Sequence, residues 1–190
     1  SFDTYAPVLE AVCRAYNPGW LLLARWHMEQ RTPDGYARAK DELNRFLENG
    51  PPERDAALAW WILAEACYQT KDLLGEVHAL INRSQISSVP FSDVSSTANR
   101  FNLYLKQQSV DLDRELKRDY VERLAGAMAA RVDEADPDDL SRMAWLAIHL
   151  QNDSDAREYV KRGLSMEPTN YHLINLADRL GVPVPRTLEG

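Results

Sequence analysis

Residues 136–149 read Asp-Pro-Asp-Asp-Leu-Ser-Arg-Met-Ala-Trp-Leu-Ala-Ile-His; a polar break at Gln151-Asn152-Asp153 follows, then an amphipathic run that stops before Pro168. Asp136 suits a helix N-cap, and Pro137 suits the first helical position, where a missing N–H costs nothing. Leu140, Met143, Ala144 and Ala147 recur at helical spacing on one face. Past the break, Ala156, Val160, Gly163 and Leu164 form a second apolar face. Two short helices joined by a tight polar turn make a hairpin, which cannot bury its apolar face alone and needs neighbours of its own kind.

Copies are found by register. With Trp20, Trp60, Val94 and Leu140 aligned as the fourth position of a unit, units begin at about 17, 57, 91 and 137, and the eighth position is Ala24, Ala64, Ala98 and Ala144. A small residue there lets a paired helix approach closely. The step from 57 to 91 is 34 residues, and 34 from 137 lands on 171, where a closing helix (171–181) begins. The other two steps are longer by 6 and 12, surpluses the pattern places in the turns around a third helix and in an extended seventh. A leading amphipathic helix (3–16) carries Tyr5, Val8, Leu9, Val12 and Tyr16, and Asn17-Pro18-Gly19 ends it and caps the next. The third helix spans Tyr36 to Leu47, and Gly50-Pro51-Pro52 is the sharpest stop. The seventh begins near Asp111, its stripe running from Leu112 through Leu116, Tyr120, Leu124 and Met128 to Val132. About ten helices result.

The unit from Asp136 to Pro168 resembles a tetratricopeptide repeat, including Ala156 at the small position of the second helix and the terminal Glu167-Pro168-Thr169-Asn170. The unit from 57 departs at Glu76, where a small residue is expected, and those from 17 and 91 match through the first helix alone. In the closing helix, Leu176-Ala177 comes one residue early. The resemblance implies an all-α chain, a right-handed α-solenoid of such hairpins forming one domain over residues 1–190. It also implies a concave surface lined by the first helix of each hairpin. Carried over by position, that surface takes Leu21, Arg25 and Met28; Trp61, Glu65, Tyr68 and Gln69; and Trp145, Ile148 and His149. Ser95, Asn99, Asn102 and Leu103 of the third unit interrupt its apolar character. Trp60 and Trp61 are adjacent, so one helix face cannot bury both. Two accounts stay open: a groove for a partner, in which the large apolar groups are anchors, or a solenoid that closes on itself and uses them as core.

The remaining features mostly exclude. Of 190 residues, 45% are hydrophobic and 27% charged, an ordinary globular balance, and the net charge of −7 argues against nucleic acid as a partner. No apolar run approaches the roughly 18 residues that span a bilayer, so a cytoplasmic protein is expected. Cys13 and Cys67 sit among apolar helical residues and read as reduced core thiols. No phosphate loop, nucleophile elbow or metal-ligand spacing is present, so neither an enzyme nor a cofactor or metal is expected. His27 reads as a core histidine and His149 as an outward one. The acidic cluster Asp133, Glu134, Asp136, Asp138 and Asp139 suits a helix start. The expected function is a scaffold or regulatory module that binds a protein or peptide, within a larger protein. The alternative is a sensor or dimerisation arm of a multidomain effector such as an NTPase or nuclease.

Overall fold

A computed structural model describes residues 2–107 and 113–184, which divide into two compact units, Ser1–Ser88 and Val89–Gly190. The first holds α1 (Phe2–Ala15), α2 (Pro18–Glu29), α3 (Pro33–Glu48), α4 (Glu53–Gln69) and α5 (Leu73–Ser84). The second holds α6 (Phe91–Gln107), α7 (Arg114–Ala129), a single 3-10 turn (Val132–Glu134), α8 (Pro137–His149), α9 (Asp153–Met166) and α10 (Tyr171–Leu180). The chain is all-α, with no strand among the described residues.

Three tight turns are built alike. Arg31, Lys71 and Gln151 all adopt the left-handed conformation, at φ 51°, 59° and 59°. Each lies eleven residues after its unit's fourth position, Trp20, Trp60 or Leu140. The next residue caps the second helix. Thr32 accepts from the Gly35 N–H at 3.0 Å, Asp72 from Gly75 at 2.9 Å, and Asn152 from Asp155 at 3.2 Å. A cap of this kind satisfies an N–H that the helix itself leaves without a partner. The unit from 91 breaks the pattern, because α6 continues helically through Leu105, where the others turn.

The surplus of that unit is therefore not an extended seventh helix. Helix α7 ends at Ala129, and Val132 belongs to the 3-10 turn. Asp111 and Leu112 lie outside the described residues, and the N-cap is Asp113, which accepts from the Leu116 N–H at 3.1 Å. Another expectation is corrected at Asn17, whose side chain does not cap α2. It donates to the Phe46 carbonyl (3.2 Å) and accepts from Asn49 (3.0 Å), tying the start of α2 to the end of α3.

Within each unit the hairpins stack in the same order. In the first, α2 pairs with α3 and α4 with α5, and α4 touches both α2 and α3. In the second, α6 pairs with α7 and α8 with α9; α8 touches α6 and α7, and α10 touches α8 and α9. Ala24, Ala64, Ala98 and Ala144 are all buried, so the shared alanine register marks close helix contacts. Around them lie Trp20, Leu43, Phe46, Leu63 and Cys67 in the first unit, and Val160, Leu164, Leu173 and Leu176 in the second. A buried Leu or Phe of this kind is worth roughly 1.5–3 kcal/mol relative to exposure.

Two glycines show how closely helices meet. A Cβ on Gly35 would lie 2.6 Å from the His27 backbone oxygen, and one on Gly163 would lie 2.5 Å from Leu173 Cδ1. The acidic cluster is occupied in holding the start of α8. Asp136 and Asp139 form a reciprocal capping box, and Arg142 binds Asp139 at 2.8 Å. Ser95 of α6 donates to the same Asp139 carboxylate. Asp138 accepts from Asn170, Glu134 from Arg131, and Asp133 from Arg162.

Candidate functional site

The expected surface residues do not share one environment. In the first unit, Trp61, Glu65 and Tyr68 lie along one stripe of α4, with Trp61 51% and Tyr68 53% exposed. Trp60, one residue away, is partly buried against the core, as two adjacent rings on one helix require. The Arg83 guanidinium of α5 stands 5.0 Å over the Trp61 ring, and Glu65 accepts from Gln69 at 2.7 Å. Arg25 is exposed on α2. Leu21 and Met28 depart from the expectation of exposure: Leu21 belongs to the buried core, and Met28 packs half-buried against it.

The reading from sequence missed Leu22, Trp26 and Leu58, all exposed on α2 and α4. A signal existed for the first, since the consecutive Leu21-Leu22-Leu23 cannot all face one side of a helix. Leu58 adds apolar area to α4, which already carries Trp61 and Tyr68, and Leu22 and Trp26 expose apolar area on α2.

In the second unit the arrangement is different. Trp145 and Ile148 are half-buried and pack against the core of α8, α9 and α10. The Trp145 ring is met by two cations: Lys106 Nζ of α6 at 4.8 Å and the Arg179 guanidinium of α10 at 5.1 Å. Such contacts are worth about 0.5–1 kcal/mol at exposed sites. His149 stacks loosely beside it, ring centres 6.1 Å apart. It is half-buried rather than fully outward, and burial holds its pKa below the ordinary histidine value, reinforced by Lys117, Arg179 and Lys106. A cavity of about 280 Å³ adjoins it, lined by Arg114, Lys117, Arg118, Val121, His149, Leu150 and Gln151. Ser95 and Asn102, expected on the concave face, are buried, and Ser95 serves the contact with Asp139 and Arg142.

Elsewhere the titratable groups are structural. His27 Nδ1 lies 2.8 Å from Glu42 Oε2 in the core of the first unit. Lys40 binds Asp72 at 2.6 Å, and that bond holds the Asp72 carboxyl below its usual value. Cys13 and Cys67 are buried free thiols. Among the described residues, no group of three or more His, Cys, Asp and Glu side chains is placed to hold a metal ion, and no helix is long and apolar enough to cross a membrane. Comparison of the chain with known family models and with curated proteins finds no match to either.

Proposed function

We propose that this chain is a protein-interaction module of tetratricopeptide-like hairpins, arranged as a right-handed solenoid and forming part of a larger cytoplasmic protein. The recurrent left-handed turn followed by a capping residue, the buried alanine register and the shared stacking order within each unit support the repeat reading. The observation that carries the function is the exposed stripe of α4. Trp61 and Tyr68 present broad, rigid apolar area beside the polar Glu65, while their neighbours Trp60 and Leu63 serve the core. Rings of this type bring much contact area for little lost rotamer freedom, which suits peptide recognition. Arg25 and Glu65 set orientation, and the exposed Leu22, Trp26 and Leu58 extend the contact. No catalytic role is assigned to any residue.

The test is capture of a partner by the purified chain, with its loss on Trp61→Ala and Tyr68→Ala and its retention on Tyr171→Ala. Tyr171 is also an exposed aromatic, on α10. Retention by the Trp61 and Tyr68 variants would remove the reading.

One observation favours the second reading, a dimerisation arm of a multidomain effector. Helix α1 leaves Tyr5, Val8 and Val12 more than half exposed at helical spacing, and Tyr16 just past its end is exposed likewise. A Val8→Glu substitution that converts a dimer to a monomer in light scattering would support it; a wild-type chain monomeric at high concentration would exclude it.

A further inference from the structure

One face of the second unit gathers positive charge, in a protein whose net charge is −7. Elsewhere several of its cations are answered by carboxylates: Arg38 by Asp34, Lys40 by Asp72, Arg131 by Glu134, Arg142 by Asp139. Around His149 they are not. Lys106 comes from α6, Lys117 from α7 and Arg179 from α10, three separate helices, and Arg114 joins Lys117 in lining the adjoining cavity. Among the described residues, none of these four lies within ion-pair distance of a carboxylate; Arg118 alone in this group has one, Glu122 at 2.8 Å. Like charges gathered around a half-buried ring and imidazole repel one another, and an anion placed among them relieves that repulsion.

We propose that this face of the second unit binds an acidic peptide segment, its carboxylates meeting Lys106, Lys117 and Arg179 and its apolar side chains lying in the cavity beside Val121 and Leu150. This deepens the reading of the chain as an interaction module and rests on it. The composition of the face selects the occupant. Cations alternate with apolar surface, which answers a chain carrying both carboxylates and apolar side chains better than a bare phosphate. The patch is local and the rest of the protein acidic, which disfavours an extended polyanion such as RNA, whose affinity grows with the number of phosphates neutralised. The positive charge of the face is also drawn from three helices, so it exists only when the unit is folded.

The experiment is fluorescence anisotropy on the full chain with a short fluorescein-labelled peptide in which Glu-Asp pairs alternate with Leu. A matched Lys-Leu peptide is the control, and inorganic phosphate and single-stranded oligo-dT are competitors. Expected are binding of the acidic peptide alone, weakening with salt, and a loss of about tenfold or more on Lys117→Glu, a charge reversal at the face. Lys106→Gln and Arg179→Gln each weaken binding severalfold, with unchanged helical circular dichroism. Trp61→Ala, in the other unit, leaves this binding unaltered. No binding by the wild type, or no effect of the Lys106, Lys117 and Arg179 changes, overturns the proposal. Displacement by phosphate or oligo-dT at matched charge overturns it in favour of a general anion site. A partner lost on Trp61→Ala while the acidic peptide fails to bind would leave the module reading intact and this one refuted; the converse separates them equally.

Discussion

His27 Nδ1 and Glu42 Oε2 stand 2.8 Å apart inside the first unit, joining α2 to α3 with both side chains buried. Burial pushes the Glu42 carboxyl up to about 8 and holds His27 below its ordinary value. The buried pair therefore keeps one proton at neutral pH and is uncharged as a whole, which suits a site with little water to solvate a charge.

A pH dependence of stability follows from this pair. The unfolded Glu42 gives up its proton near the ordinary carboxyl value of 4.5, and the unfolded His27 near 6.5. Between about 6.5 and 8 the folded chain holds the Glu42 proton that the unfolded chain has released, so stability falls as pH rises, by at most about 1.4 kcal/mol per pH unit. Below 6.5, proton uptake by the unfolded His27 offsets the trend. Urea unfolding of Glu42→Gln, whose amide donates to His27 without titrating, should lose this slope. An unchanged slope in the variant would refute the assignment.

The two thiols should be silent in the folded protein. Burial raises the pKa of both, Cys67 to about 12, and the thiolate is the reactive form. Reaction with Ellman's reagent at pH 8 should proceed only at the rate of unfolding and become fast in denaturant. Rapid labelling of the native chain would show that one thiol is open to solvent.

Substitutions at glycine separate close packing from open helix. The Cβ of Gly35→Ala meets the backbone oxygen of His27, which cannot rotate away, and the cost should be about 1–3 kcal/mol. Gly126 of α7 has nothing within 4 Å of that position. Gly126→Ala should therefore stabilise by roughly 0.5–1 kcal/mol through helix propensity. Shifts of the two urea midpoints in the same direction would contradict the packing.

Tryptophan quenching tests the exposed stripe of α4. Acrylamide is the suitable quencher, because iodide would collect at the cations beside Trp145. Trp61→Phe should remove more of the quenchable emission than Trp145→Phe, since the first ring is half open and the second is covered by Lys106 and Arg179. Trp20, 2% exposed, should contribute almost nothing to quenching. Equal losses from Trp61 and Trp145 would mean that the two rings are equally open.

Much of the local structure could be read directly from the residues. Asp136-Pro137 announces the start of α8, Gly50-Pro51-Pro52 the stop before α4, and the alanines at 24, 64, 98 and 144 the inner face of each first helix, because caps, prolines and helical period act over a few residues. The left-handed Arg31, Lys71 and Gln151 were not legible, since nothing in an Arg or Lys side chain announces positive φ; the conformation is imposed by the two helices that the turn must join. Nor was the fate of Leu21, Met28 and Trp145. Their positions on a helix follow from sequence, but their exposure depends on which side chains from other helices reach them. The pairing of His27 with Glu42, and the gathering of Lys106, Lys117 and Arg179 around His149, belong wholly to the tertiary structure. Helix period places a residue on a face of its own helix, whereas burial and charge are set by groups that the chain brings back from tens of residues away.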